Sequence, residues 1–161
     1  MSPSRILAKT AALALCALQL AGLAVPARAT TFRVDDTGTL VSQPVTPMKW
    51  RQVVPSRTGD NTVEGQLNVQ LRLNLTNWLN RPARIYMALA PTEGEQLTAT
   101  WRTQGRLLPG SVRGGNRTLV FNGVVRDPFL TETIQLNLMA DGRLLTRTQQ
   151  LQFHFEIEVS P

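Results

Sequence analysis

At 161 residues the chain has the length of one globular domain, and its 42% apolar and 17% charged residues give it an ordinary globular composition. A single cysteine excludes a disulfide within the chain, and with a single histidine it excludes a metal site built from nitrogen and sulfur ligands. The formal charge of +6 comes from 17 basic against 11 acidic residues, but the arginines are scattered singly, which argues against the clustered patch that nucleic acid requires.

Residues 1–29 have the three-part pattern of a removable export signal. Arg5 and Lys9 make a basic start, residues 11–25 are mostly apolar, and Ala27, Arg28 and Ala29 supply small residues at Ala27 and Ala29 for cleavage. A membrane anchor is the rival reading, but the run contains Gln19, stops at Pro26 and falls short of the roughly 20 residues a spanning helix needs. Cys16 follows Leu15, where a lipidated cysteine would follow a small residue, so it reads as an apolar member of the signal. Cleavage would start the chain at Thr30, remove the cysteine, and take Arg5, Lys9 and Arg28 away. That leaves 14 basic against the same 11 acidic residues, a net charge of +3. The expected location is exported, in the periplasm or at the cell surface, with no stable membrane span after processing.

Residues 30–60 read as an extended N-terminal arm, because Pro44, Pro47 and Pro55 break any helix while Phe32 with Val34 and Leu40 with Val41 are its apolar groups. Residues 61–161 read as the domain. From Gly65 the chain alternates, with Leu67, Val69, Leu71, Leu73 and Leu75 on one parity and Gln66, Asn68, Gln70, Arg72 and Asn74 on the other, as in a strand with one dry face. Residues 76–82 form a loop, and residues 83–90 are apolar on both faces, as in a central strand. Leu97, Ala99 and Trp101 mark another half-buried strand, residues 105–115 are rich in glycine, and residues 118–125 resume strand character.

Asp127 with Pro128 is a turn, and Asp141 with Gly142 predicts a type I′ hairpin that sets Leu138 opposite Leu145 and Leu136 opposite Arg147. Arg147 and Gln149 are polar where that register wants apolar partners, so it needs a bulge or a solvated margin there. The last strand is the clearest: Leu151, Phe153, Phe155, Ile157 and Val159 share one parity against Gln152, His154, Glu156 and Glu158. Six or seven strands without an amphipathic helix predict an all-β fold, an immunoglobulin-like antiparallel β-sandwich, with a small barrel as the competing arrangement.

Little in the sequence points to catalysis. His154, the sole histidine, lies mid-strand beside Glu156 in parity and reads as a solvent-facing residue rather than the base of a Ser-His-Asp set. Asp35, Asp36 and Gly38 lack the alternating ligands of a calcium loop, and Gly110 with Ser111 lacks the spacing of a nucleophile elbow. The chain is therefore expected not to be an enzyme and to need no cofactor. Trp50, Trp78 and Trp101 could stack on a sugar, although Trp101 falls on the apolar parity of its strand and suits a core.

A terminal strand as apolar as residues 151–159 must be paired or covered, by its own chain or by a strand from another. In this combination of a cleavable signal, an arm with alternating apolar residues, a thiol-free domain and an apolar last strand, the sequence resembles subunits of chaperone-usher fimbriae of the cysteine-poor alpha type. The resemblance implies an incomplete sandwich that folds on a periplasmic chaperone and is completed in the fibre by the arm of the next subunit. It assigns Phe32, Val34, Gly38 and Leu40 to the donor segment and Leu151, Phe153, Phe155, Ile157 and Val159 to the strand bordering the groove. Asp36, on the parity of Phe32 and Leu40, departs from an apolar donor, and the C-terminus lacks the penultimate tyrosine of many pilins. The leading expectation is thus a structural protein with other pilus subunits or a chaperone as partners. The second is a self-contained periplasmic sandwich that recognises carbohydrate through Trp50, Trp78 or Arg84.

Overall fold

The computed structural model describes residues 30–52, 59–91, 97–145 and 151–159. Ten strands occur among them in chain order: β1 (Thr30–Arg33), β2 (Leu40–Val41), β3 (Lys49–Trp50), β4 (Thr62–Asn74), β5 (Pro82–Leu89), β6 (Thr98–Arg102), β7 (Gly110–Arg113), β8 (Arg117–Val124), β9 (Phe129–Asp141) and β10 (Phe153–Val159). A 3-10 turn at Thr76–Trp78 follows β4. No helix among the described residues is long and apolar enough to cross a membrane.

Alternation in the sequence becomes two dry faces. β4 buries Val63, Val69, Leu71 and Leu73 and turns Gln66, Asn68, Gln70 and Arg72 outwards. It pairs antiparallel with β9 along its whole length, from Thr62 opposite Asp141 to Asn74 opposite Phe129, so Val69 meets Ile134 and Leu73 meets Leu130. This pair is the middle of a six-stranded sheet in the order β2-β4-β9-β6-β7, with β3 also on β4. A four-stranded sheet in the order β1-β10-β5-β8 faces it. Leu73, Ala99, Ile85 and Ile157 are wholly buried in the shared core, where a large aliphatic side chain contributes about 1.5–3 kcal/mol.

The strand order is that of an immunoglobulin-type sandwich. In that fold the first, second, fifth and fourth strands form one sheet, and the third, sixth and seventh form the other. β2, β4, β9 and β6 follow the first order, and β5 and β10 take the third and sixth places. The seventh place, antiparallel to β10, is filled by β1, the first strand of the described residues.

The predicted hairpin at Asp141 and Gly142 is not formed. β9 pairs with β4 and β6, whereas β10 pairs with β1 and β5, so the two strands lie in opposite sheets. Leu138 faces Gly65 and Ala99 rather than Leu145, and residues 146–150, with Arg147 and Gln149, lie outside the described residues. The apolar parity of β9 needs apolar neighbours on both sides, which β4 and β6 supply. Gly142 is not among the glycines with positive φ; a Cβ there would lie 2.5 Å from Cη2 of Trp50 and 2.8 Å from Cγ1 of Val63. Its absent side chain makes room for Trp50.

The strands beyond the expected six or seven come from segments whose composition hides them. β1, β2 and β3 lie in the proline-bearing arm, which thus contributes to both sheets, and β7 lies in the glycine-rich stretch. Gly110 in β7 stands opposite Trp101, whose ring crosses it: a Cβ at Gly110 would be 2.8 Å from Cζ2 of that ring. Trp101 Nε1 donates to the Leu108 carbonyl at 2.8 Å, which satisfies the indole inside the core.

Candidate functional site

β10 is an interior strand. Its inner residues Phe155, Ile157 and Val159 are buried, and Leu151 and Phe153 ahead of them are half-buried. On one side it pairs with β5, from Phe153 opposite Leu89 to Val159 opposite Ala83. On the other it pairs with β1, with Thr30 opposite Val159, Phe32 opposite Ile157 and Arg33 opposite Glu156. Both neighbours thus come from the same chain; the β1 ladder spans Glu156 to Val159, and Val34 extends it to Phe155.

β1 is held by little besides its ladder. Its four side chains are all exposed to some degree. Phe32 lies on the inner parity and leans on Trp78, with ring centroids 6.1 Å apart at 45°. Just beyond the strand, Val34 is 1% exposed and its N–H donates to the Phe155 carbonyl at 2.8 Å. Val34 is the one apolar side chain that this segment buries, while Phe32 leans on Trp78 from the surface.

The donor segment expected from Phe32 to Leu40 is not one strand. Of Phe32, Val34, Gly38 and Leu40, only Phe32 and Val34 adjoin β10. At Asp35 the chain crosses to the other sheet, bridging to Asn74, whose N–H donates to the Asp35 carbonyl at 2.9 Å. A turn follows, with Thr39 N–H donating to the Asp36 carbonyl at 3.0 Å and Gly38 at a φ of 96°. Leu40 then pairs with Gln70 in β2, on the six-stranded sheet, and is 62% exposed. Asp36 stays half-buried within this turn, on the parity that Phe32 and Val34 set, and the turn ends the alternation there.

The outer face of the four-stranded sheet carries a bonded charge network. Arg117 on β8 forks to Glu156 at 2.9 Å and Glu158 at 2.7 Å, and its guanidinium lies 4.4 Å from the Tyr86 ring centre. Tyr86 donates its hydroxyl to Glu158 at 3.0 Å, and His154 Nε2 lies 3.3 Å from Glu156. Burial pushes the Glu156 carboxyl up, but hydrogen bonds from Arg117 and His154 outweigh it and hold the group below its ordinary value. Burial and the bond to Glu158 together push Tyr86 up. His154 and Glu156 therefore belong to ties that run across β10 and β5 to β8. Among the described residues, no group of three or more His, Cys, Asp or Glu is placed to hold a metal.

The three tryptophans sit in three settings. Trp101 is buried in the core, Trp78 props Phe32 from the 3-10 turn, and Trp50 lies over Gly142, 43% exposed. Arg84 is exposed on β5, opposite Glu158 and Asn122. On the outer face of the six-stranded sheet, Ser42, Gln43, Gln66, Leu67, Asn68 and Gln135 line a shallow recess of about 320 Å³. Sequence reading did not find it, since its amides look like any solvated strand face. Ala27 and Ala29 of the expected cleavage site lie outside the described residues. Comparison with protein-family models, curated proteins and solved structures finds no match to this chain.

Proposed function

We propose that the protein is an exported structural subunit, of a fimbrium or another product of a pilus locus, that assembles when copies exchange their N-terminal strands. One observation carries this reading. The outer neighbour of the C-terminal strand is a short, exposed segment, the first strand of the described residues, tethered through residues 34–39, and not a continuation of β10. An identical segment from a second copy makes the same ladder and the same Phe32 and Val34 contacts. The closed and exchanged forms then differ in free energy mainly through the tether, which is why exchange of a terminal element is a low-cost route to assembly. A short tether favours the closed form by an effective concentration on the order of millimolar. Exchange therefore calls for a high local concentration or a chaperone that holds β10 open.

The test uses the chain starting at Thr30, which contains no cysteine. Thr31 and Glu158 are opposite one another, between the hydrogen-bonded pairs, a spacing compatible with a disulfide. A chain carrying both Thr31→Cys and Glu158→Cys should lock as a monomer. Mixing the two single variants should yield a covalent heterodimer joined at these positions, identified by mass spectrometry. A mixture that stays uncrosslinked at millimolar concentration, while the double variant closes, would show that β1 never leaves its seat.

That result would favour the second reading, a self-contained periplasmic sandwich that binds carbohydrate. What supports it is the filled flank of β10 together with an exposed Trp50 and an amide-lined recess. Saccharide-dependent tryptophan fluorescence, lost in Trp50→Ala, is its direct measurement.

A further inference from the structure

Strand exchange as proposed above needs a hinge, and we infer that the hinge is the crossover at residues 35–39 and that Arg72 is the positioning residue that clamps it; the inference rests on that reading, and the occupant of the vacated seat is β1 of a second copy. Arg72 grips the crossover twice. Its backbone N–H donates to the Thr39 hydroxyl at 3.1 Å, and its Nη1 donates to the Thr37 carbonyl at 3.3 Å. The guanidinium itself is fixed from below, 4.1 Å from the centre of the Phe129 ring on β9. Gly38, between the two gripped residues, has the left-handed backbone that lets the chain double back, and a Cβ there would sit 3.3 Å from Arg72 Cδ.

The crossover is also held at its start by Asp35, whose carbonyl accepts the Asn74 N–H at 2.9 Å and so ties the entry of the turn to β4. Thr37 N–H donates to Asp35 Oδ1 at 3.0 Å. Downstream, β2 is anchored by its pairing with Gln70 and Val69 and by Ser42 N–H to the Asn68 carbonyl at 3.0 Å. The unit that exchanges therefore ends at Val34, takes only Val34 out of the core and Phe32 off Trp78, and leaves β2 in place. While Arg72 holds Thr37 and Thr39, the tether points β1 at its own β10. Releasing that grip lets residues 35–39 straighten and carry β1 away.

The experiment follows the rate of heterodimer formation in the Thr31→Cys and Glu158→Cys mixture, with Arg72→Ala placed in both partners. Loss of a guanidinium that stacks on an aromatic ring and hydrogen-bonds a carbonyl should speed crosslinking roughly fivefold. Phe129→Leu, which keeps the apolar bulk but removes the ring face, should speed it less, and Arg72→Lys should fall between Arg72→Ala and the parent. Arg102→Ala, on the exposed side of β6, is the control and should not change the rate. Urea unfolding of each variant separates a clamp from general destabilisation, because a clamp changes the exchange rate by more than the stability loss accounts for. Equal rates in the parent, Arg72→Ala and Phe129→Leu would overturn the clamp while leaving exchange intact. No crosslinking in any mixture would overturn both.

Discussion

Phe32 and Ile157 are direct partners across the seam between β1 and β10, yet Phe32 is 43% exposed and Ile157 is 0% exposed. The interior side of the seam is therefore built by β10, and β1 acts as a cover. Phe32→Ala should cost about 1–2 kcal/mol, below the 3–5 kcal/mol of a fully buried phenylalanine, whereas Ile157→Ala should cost about 2–5 kcal/mol. Urea unfolding measures both, and equal losses would contradict a covering role for β1.

Glu132 sits on the inner parity of β9, between Leu130 and Ile134, where a charge needs partners. It accepts N–H groups from Gly105 at 3.0 Å, Arg106 at 2.8 Å and Leu107 at 3.0 Å, and so anchors the loop between β6 and β7. Glu132→Ala should destabilise the fold by about 1–3 kcal/mol by leaving those donors without the carboxylate. Amide hydrogen exchange at Leu107 should quicken in the same variant, and an unchanged rate there would argue against the anchor.

Acid sensitivity has one visible contributor in Asp141, whose carboxyl is lowered to about 2 by hydrogen bonds from the Arg143 side chain and backbone. A lowered folded-state value means the interaction is present in full above the ordinary aspartate range, near 4, and is lost as the pH falls towards 2. Asp141→Asn should therefore flatten the fall of Tm between pH 4 and pH 2 without altering its trend at higher pH. Because the pair is exposed, added salt should shrink the difference between the two proteins.

Gly142→Ala should force Trp50 off its seat, since the new Cβ would meet ring atoms of Trp50 and a methyl of Val63. The expected cost is about 1–3 kcal/mol for overpacking. Tryptophan emission, compared between this variant and Gly142→Ala with Trp50→Phe, should shift only when Trp50 is present.

Period-two alternation made β4 and β10 readable, because a strand with one buried face must repeat every second residue. Residues 83–90, apolar on both faces, likewise marked β5 as a central strand between β10 and β8. The same local rule could not say which strands share a sheet. Asp141 and Gly142 carry a hairpin signature, but the choice was made by distant partners, Gly65 and Ala99 for β9 and Leu89 to Ala83 for β10. Gly142 also shows that a glycine can be required by a neighbouring ring with no demand on φ. The seam was half legible: Phe32, Val34 and the β10 residues stood out as apolar, while Trp78 read as a loop residue and Arg72 as a solvated one. Their roles depend on contacts with residues far along the chain, Phe32 for Trp78 and Thr37, Thr39 and Phe129 for Arg72, which no periodicity encodes.

Thr30 lies opposite Val159, so the head and the tail of the described fold meet side by side. Joining them through a bridge of two to five residues, the usual size of a hairpin loop, and cutting the chain elsewhere would make β10 and β1 consecutive strands. Such a rewired molecule would own its cover outright and have nothing to lend. By the same adjacency, an affinity tag fused at either extremity sits over the one seam where copies are proposed to meet.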